Sequence, residues 1–124
     1  MAKYSNPNAL DACLNWYKTN AIEMVVCSSY PTTYEEASAT YALADIAIDA
    51  GDFVGPIDGD IAGERVLAVN NQDNVLVDVS GSSAYIALLT TNSIAYVTSC
   101  GAKTLVAGKY TTIPSWDITS EQPT

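Results

Sequence analysis

At 124 residues, with 48% apolar and only 15% charged residues, the chain has the length of one domain and the material for a hydrophobic core without metal or disulfide support. It contains no histidine and carries a net charge of −9, which speaks against imidazole catalysis and against binding to phosphate backbones. Cys13, Cys27 and Cys100 are widely spaced, form no C-x-x-C pair and give no zinc-site pattern.

The acids are unevenly placed. Between Thr19 and Glu64 there is no Lys or Arg, while Glu23, Glu35, Glu36, Asp45, Asp49, Asp52, Asp58, Asp60 and Glu64 all fall there. Such a stretch reads as a solvated acidic side that aids solubility, or as a surface for a basic partner. The first residues lack the apolar run of a signal peptide, and no stretch approaches the length of a membrane span. A soluble product of a reducing cytosol is expected, with Cys13 and Cys27 as small buried hydrophobes.

In chain order, Asn6 and Pro7 form a helix start, and Leu10, Cys13, Leu14 and Tyr17 lie at i, i+3, i+4 and i+7. This predicts an amphipathic helix over about 7–19. Residues 22–27 read as a buried strand. Thr33 and Glu36 have capping-box spacing, which predicts one or two helical turns over 35–39. Residues 43–48 are expected as a strand, and Gly51 to Gly63 as a long Gly- and Asp-rich loop.

From Glu64 onward the pattern is β. Strands are expected at 65–70 and 75–79, joined by Asn71-Gln72-Asp73-Asn74, with Val75, Val77 and Val79 on one face and Asp78 on the other. A hairpin over 84–90 and 94–98 follows, placing Tyr85 and Tyr96 as candidate cross-strand neighbours. Strands at 104–107 and 110–113, an edge piece at 116–118 and a tail at 120–124 complete the pattern. The expectation is a single mostly β (α+β) domain over 1–124, an antiparallel sandwich or barrel behind an N-terminal amphipathic helix.

Chemistry has little to build on. Asp45, Asp49, Asp52, Asp58 and Asp60 are numerous enough for a carboxylate pair, but a sugar-cleaving site also needs a walled cleft. Segment 49–60 has some features of a calcium loop: Asp58-Gly59-Asp60 has a D-x-D opening, yet Ala62 stands where a third ligand belongs and no Glu closes the loop. Turn formation accounts for its Gly and Asp. No phosphate-cradling glycine motif occurs. Eight Tyr and two Trp offer stacking surface, although five basic residues give it no electrostatic support for nucleic acid. No catalytic, cofactor-binding or metal residue is nominated, and no enzyme is expected.

Three blocks, Gly51-Asp-Phe-Val-Gly-Pro-Ile-Asp-Gly-Asp60, Ser80-Gly-Ser-Ser-Ala-Tyr-Ile-Ala-Leu-Leu89 and Thr112-Ile-Pro-Ser-Trp-Asp-Ile118, stand in that order behind the helix. Together they resemble small virion structural proteins of tailed bacteriophages. The resemblance implies a capsid cement or decoration protein in a multi-copy assembly, partnered by the major capsid protein and neighbouring copies of itself. It implies residence in the virion after assembly in the host cytoplasm. The alternatives are a tail, neck or fibre component of the virion, or a host-surface glycan-binding module.

Overall fold

The structure is a computed structural model that describes residues 7–58 and 64–120. Helix α1 (Pro7–Asn20) is followed by β1 (Glu23–Cys27), β2 (Ala42–Ala47), β3 (Phe53–Asp58), β4 (Arg65–Val69), β5 (Gln72–Leu76) and β6 (Gly81–Ser82). Then come β7 (Tyr85–Leu89), β8 (Ile94–Ser99), β9 (Thr104–Leu105), β10 (Tyr110–Ile113) and β11 (Trp116–Ser120). The chain is mostly β, antiparallel, with one N-terminal helix, as the hydrophobic pattern predicts.

Helix α1 packs on β3, β4 and β11. Leu10 and Leu14 are buried and Tyr17 is half-buried, but Cys13 is exposed. The buried stripe is therefore narrower than the spacing suggests, and the expectation of a buried Cys13 is corrected. The proposed Asn6 cap lies outside the described residues. At the other end Asn20 donates from Nδ2 back to the Trp16 carbonyl at 2.8 Å, within the last turn of the helix.

The largest sheet has the order β2-β1-β7-β8. Its strand β1 is buried on both faces, which explains the unbroken run Met24-Val25-Val26-Cys27. Met24 and Val26 join Ile86 and Leu88 of β7 in the main core. Val25 and Cys27 point the other way, into a second cluster with Ala37, Ala87 and Leu89. Segment 28–41 covers that second face. Its turn is held as the Thr33/Glu36 spacing predicts: Thr33 Oγ1 accepts the Glu36 N–H at 3.1 Å. Glu36 Oε1 reaches back one residue further, accepting the Thr32 N–H at 2.8 Å and hydroxyl at 2.7 Å. The turn finishes as one wide π-helical turn, Glu36–Thr40.

A three-stranded sheet, β11-β4-β3, supplies Phe53, Leu67, Val69 and Ile118 to the same main core. The pair β10-β5 adds Val75, Val77 and Ile113, and is tied to β2 by an Ala44–Val77 bridge and two hydrogen bonds to the Leu43 carbonyl. One apolar cluster thus runs from Leu14 to Ile118.

Two expectations need correction. Gly51 to Gly63 is not wholly loop, because Phe53–Asp58 is β3, an outer strand bulged between Val54 and Ile57 at the cis Gly55–Pro56 bond. Proline is tolerated there because the strand lies at a sheet edge. Gly55 has φ +112°, and a Cβ on it would lie 2.8 Å from the Val66 carbonyl oxygen, so only glycine lets the strands approach. Residues 59–63 lie outside the described set. Secondly, β4 and β5 follow one another but do not pair: β4 binds β3 and β11, whereas β5 binds β10. Val75 and Val77 are buried as expected, but Val79 runs past the core and is 51% exposed. The tail beyond Ser120 is also outside the described residues.

Candidate functional site

The Asp-rich segment is locally committed. Asp52 Oδ2 accepts the Asp49 N–H at 2.9 Å, and Asp49 Oδ1 accepts the Gly51 N–H at 2.8 Å, so the two acids cap one short turn reciprocally. The other Asp52 oxygen accepts from Gln72 Nε2 at 3.0 Å. Asp58 is bound by Arg65 Nη1. Among the described residues no group of three or more Cys, Asp or Glu is arranged to hold a metal; Asp60, the second acid of the D-x-D opening, lies outside them.

A different acid constellation forms from sequence-distant strands. Asp45 lies opposite Val25 and Glu23 opposite Ala47, which puts Glu23 and Asp45 on one outward face of the large sheet. Asp78 joins them, carried there by its backbone bond to Leu43. Partial burial, reinforced by the Asp78 and Glu23 carboxyls, pushes Asp45 up to about 6. No spacing rule reveals this trio, because its members come from β1, β2 and the segment after β5.

Four of the tyrosines fall into two separate ring clusters. Tyr85 lies opposite Ser99, and Tyr96 opposite Leu88, so the expected Tyr85–Tyr96 neighbourhood is not formed. Tyr85 instead meets Tyr30 edge-on at 5.3 Å between ring centroids. Tyr96 stacks on Trp116 at 5.7 Å and receives the edge of Tyr17 at 5.6 Å, and Tyr17 meets Trp16 at 5.5 Å. This four-ring chain fastens α1 to β8 and β11. It acts as packing, worth about 0.5–1.5 kcal/mol per pair beyond area burial.

A cavity of about 530 Å³ opens between β9, β10 and the loop 100–103. Val26, Leu105, Ile113 and Pro114 give it apolar walls. Ser83 Oγ donates to the Gly101 carbonyl at 2.9 Å and accepts the Lys103 N–H at 3.0 Å, fixing the loop. Burial pushes the Cys100 thiol up, away from thiolate formation, and Cys27 is pushed up to about 11 for the same reason. Both bonds of the Ser83 hydroxyl are thus committed to the loop.

The outer surface carries a paired apolar patch. Leu76 and Tyr110 are directly opposite one another on β5 and β10, and are 44% and 67% exposed. Val79 and Val106 are each about half exposed, and the turn 106–109 bonds back to Val77. The alternation Tyr110-Thr111-Thr112-Ile113, with Thr111 and Ile113 buried, is the sequence signal that turns Tyr110 outward.

The geometry defines a mostly β antiparallel fold with apolar and acidic surfaces on its strands. Compared with protein-family models, with curated proteins and with solved structures, the chain matches none.

Proposed function

We propose that the protein is a structural component of a tailed-phage virion, a cement or decoration protein that binds the major capsid protein and neighbouring copies of itself and stabilises the shell. The observation that carries an assembly role is the exposed Leu76–Tyr110 pair on β5 and β10. Large apolar side chains grouped on a rigid ribbon are what a partner surface covers, and Tyr adds a polar tip to its apolar area. The three sequence blocks that resemble phage virion proteins support the choice of assembly. In the fold they become β3 with its preceding turn, β6 with β7, and β10 with β11.

A second feature supports the same reading. β8 is the outermost strand of the large sheet, and Ile94-Ala-Tyr-Val-Thr-Ser99 carries no charge. The Cys100 N–H bonds the Ala84 carbonyl, so antiparallel alternation turns the backbone groups of Val97 and Ser99 away from β7. An uncharged strand with outward backbone groups is a template for pairing.

A protein that binds only the assembled lattice stabilises it by mass action, and many copies multiply each modest contact. Quantitative mass spectrometry of purified particles tests the assignment. Copy number comparable with that of the major capsid protein is expected. A handful of copies per particle would assign the chain to the tail, neck or fibre, and its absence from particles would reject a virion role.

A further inference from the structure

We propose that the cavity beside loop 100–103 is a binding site for a small monocarboxylate with an apolar body, of the medium-chain fatty-acid type. Its volume of about 530 Å³ lies in the range of small-molecule sites, and its shape is set by residues that cannot readily move. Val26, Leu105 and Ile113 belong to the main core, and Ser83 pins the loop through both of its hydroxyl bonds. The walls therefore suit an apolar chain of about ten carbons.

The head group follows from the charge. In a chain of net charge −9, the described residues that line the cavity include no Asp or Glu and one cation, Lys103. Lys103 Nζ is held by Thr111 Oγ1 at 3.2 Å, which spends one of its three donors. Among the described residues the ion pairs all belong to Arg65, so Lys103 has no carboxylate partner of its own. One ammonium at the mouth of an apolar cavity matches one negative charge; a phosphate monoester, with nearly two, would need a second cation. Cys100 contributes a neutral wall, since burial disfavours its thiolate, and gives no repulsion to an anion.

The site does not depend on the virion assignment and is tested on the isolated full chain. The reporter is Cys100 in a Cys13→Ser variant, because Cys27 is fully buried and Cys13 is the exposed thiol. Decanoate, kept below its micelle concentration, is titrated while backbone amide NMR shifts and the rate of maleimide addition to Cys100 are followed. Saturable shifts confined to Ser83, residues 100–105 and residues 111–113, with slower Cys100 labelling, are expected. Lys103→Gln should weaken decanoate binding about tenfold, the loss of one charge-assisted contact, Lys103→Arg should restore it, and decan-1-ol should bind both forms alike. No saturable shift at millimolar decanoate, equal affinity of Lys103→Gln, or decan-1-ol binding wild type as tightly as decanoate would each overturn the proposal.

Discussion

Arg65 at the start of β4 grips Asp11 in the middle of α1, with Nε 2.7 Å from Oδ1 and Nη2 3.2 Å from Oδ2. The same guanidinium binds Asp58 and the Pro56 carbonyl of β3, and Lys18 donates to the neighbouring Gly55 carbonyl at 3.2 Å. One fork thus fixes the helix against an outer strand, with the geometric matching that a lysine cannot supply. Arg65→Lys should loosen α1 while leaving the large sheet intact. Hydrogen exchange checks this: faster exchange at Leu10–Leu14 is expected, with β1 and β7 unchanged.

Leu14, fully buried in the main core, anchors the helix stripe. Leu14→Ala should cost about 2–5 kcal/mol by removing buried methyl groups and leaving a cavity. Leu14→Asp should abolish cooperative folding, because an unpaired carboxylate would replace the apolar contact. Chemical denaturation measures both, and wild-type stability of Leu14→Asp would show that the stripe is not core.

The acid trio gives stability a pH dependence with a definite sign. Asp45 holds its proton to about pH 6 in the native state, against an ordinary value of 3.8. The native state then binds more protons than the unfolded chain across that window, so the Asp45 contribution is fullest below 3.8 and is lost as pH rises through about 6. Glu36 acts oppositely: the Thr32 hydroxyl and N–H hold it low, and its contribution is lost as pH falls. Asp45→Asn should therefore stabilise the protein at pH 7 and change little at pH 4, measured as the shift in denaturation midpoint.

Gly55 makes β3 sensitive to a single methyl group. Gly55→Ala should destabilise by about 1–3 kcal/mol, since alanine at positive φ is strained and its Cβ would press on the Val66 carbonyl. Thermal unfolding checks this, with Gly51→Ala, whose nearest neighbour is an Asp49 side-chain oxygen at 3.1 Å, as the milder control.

Local rules made much of this fold readable. Pro7 with the leucine stripe marks α1, continuous apolar runs mark β1 and β7, and alternation marks β10. Strand β3 was hidden because Gly55 and Pro56 read as loop, while the edge position and the close Val66 carbonyl that permit them are tertiary facts. The pairing of β5 with β10 was equally hidden, since periodicity states which face a residue takes and not which strand it meets. Candidate sites suffered more. Of the carboxylates conspicuous in the sequence, Asp49, Asp52 and Asp58 serve caps and an ion pair, whereas Asp45 acquires its character from Glu23 and Asp78, neighbours far along the chain.

The assembly surface can be tested directly with a variant that keeps the fold. Leu76→Lys with Tyr110→Lys changes two outward side chains and should leave the denaturation midpoint nearly unaltered, as surface substitutions do. Purified wild-type and double-variant protein are added to capsids assembled without the chain, and bound protein is quantified after sedimentation. Saturable binding of wild type, with little or none of the folded double variant, is the predicted result. Equal binding of the two proteins would remove the patch from the interface, and no binding of wild type to intact shells would contradict the capsid assignment itself.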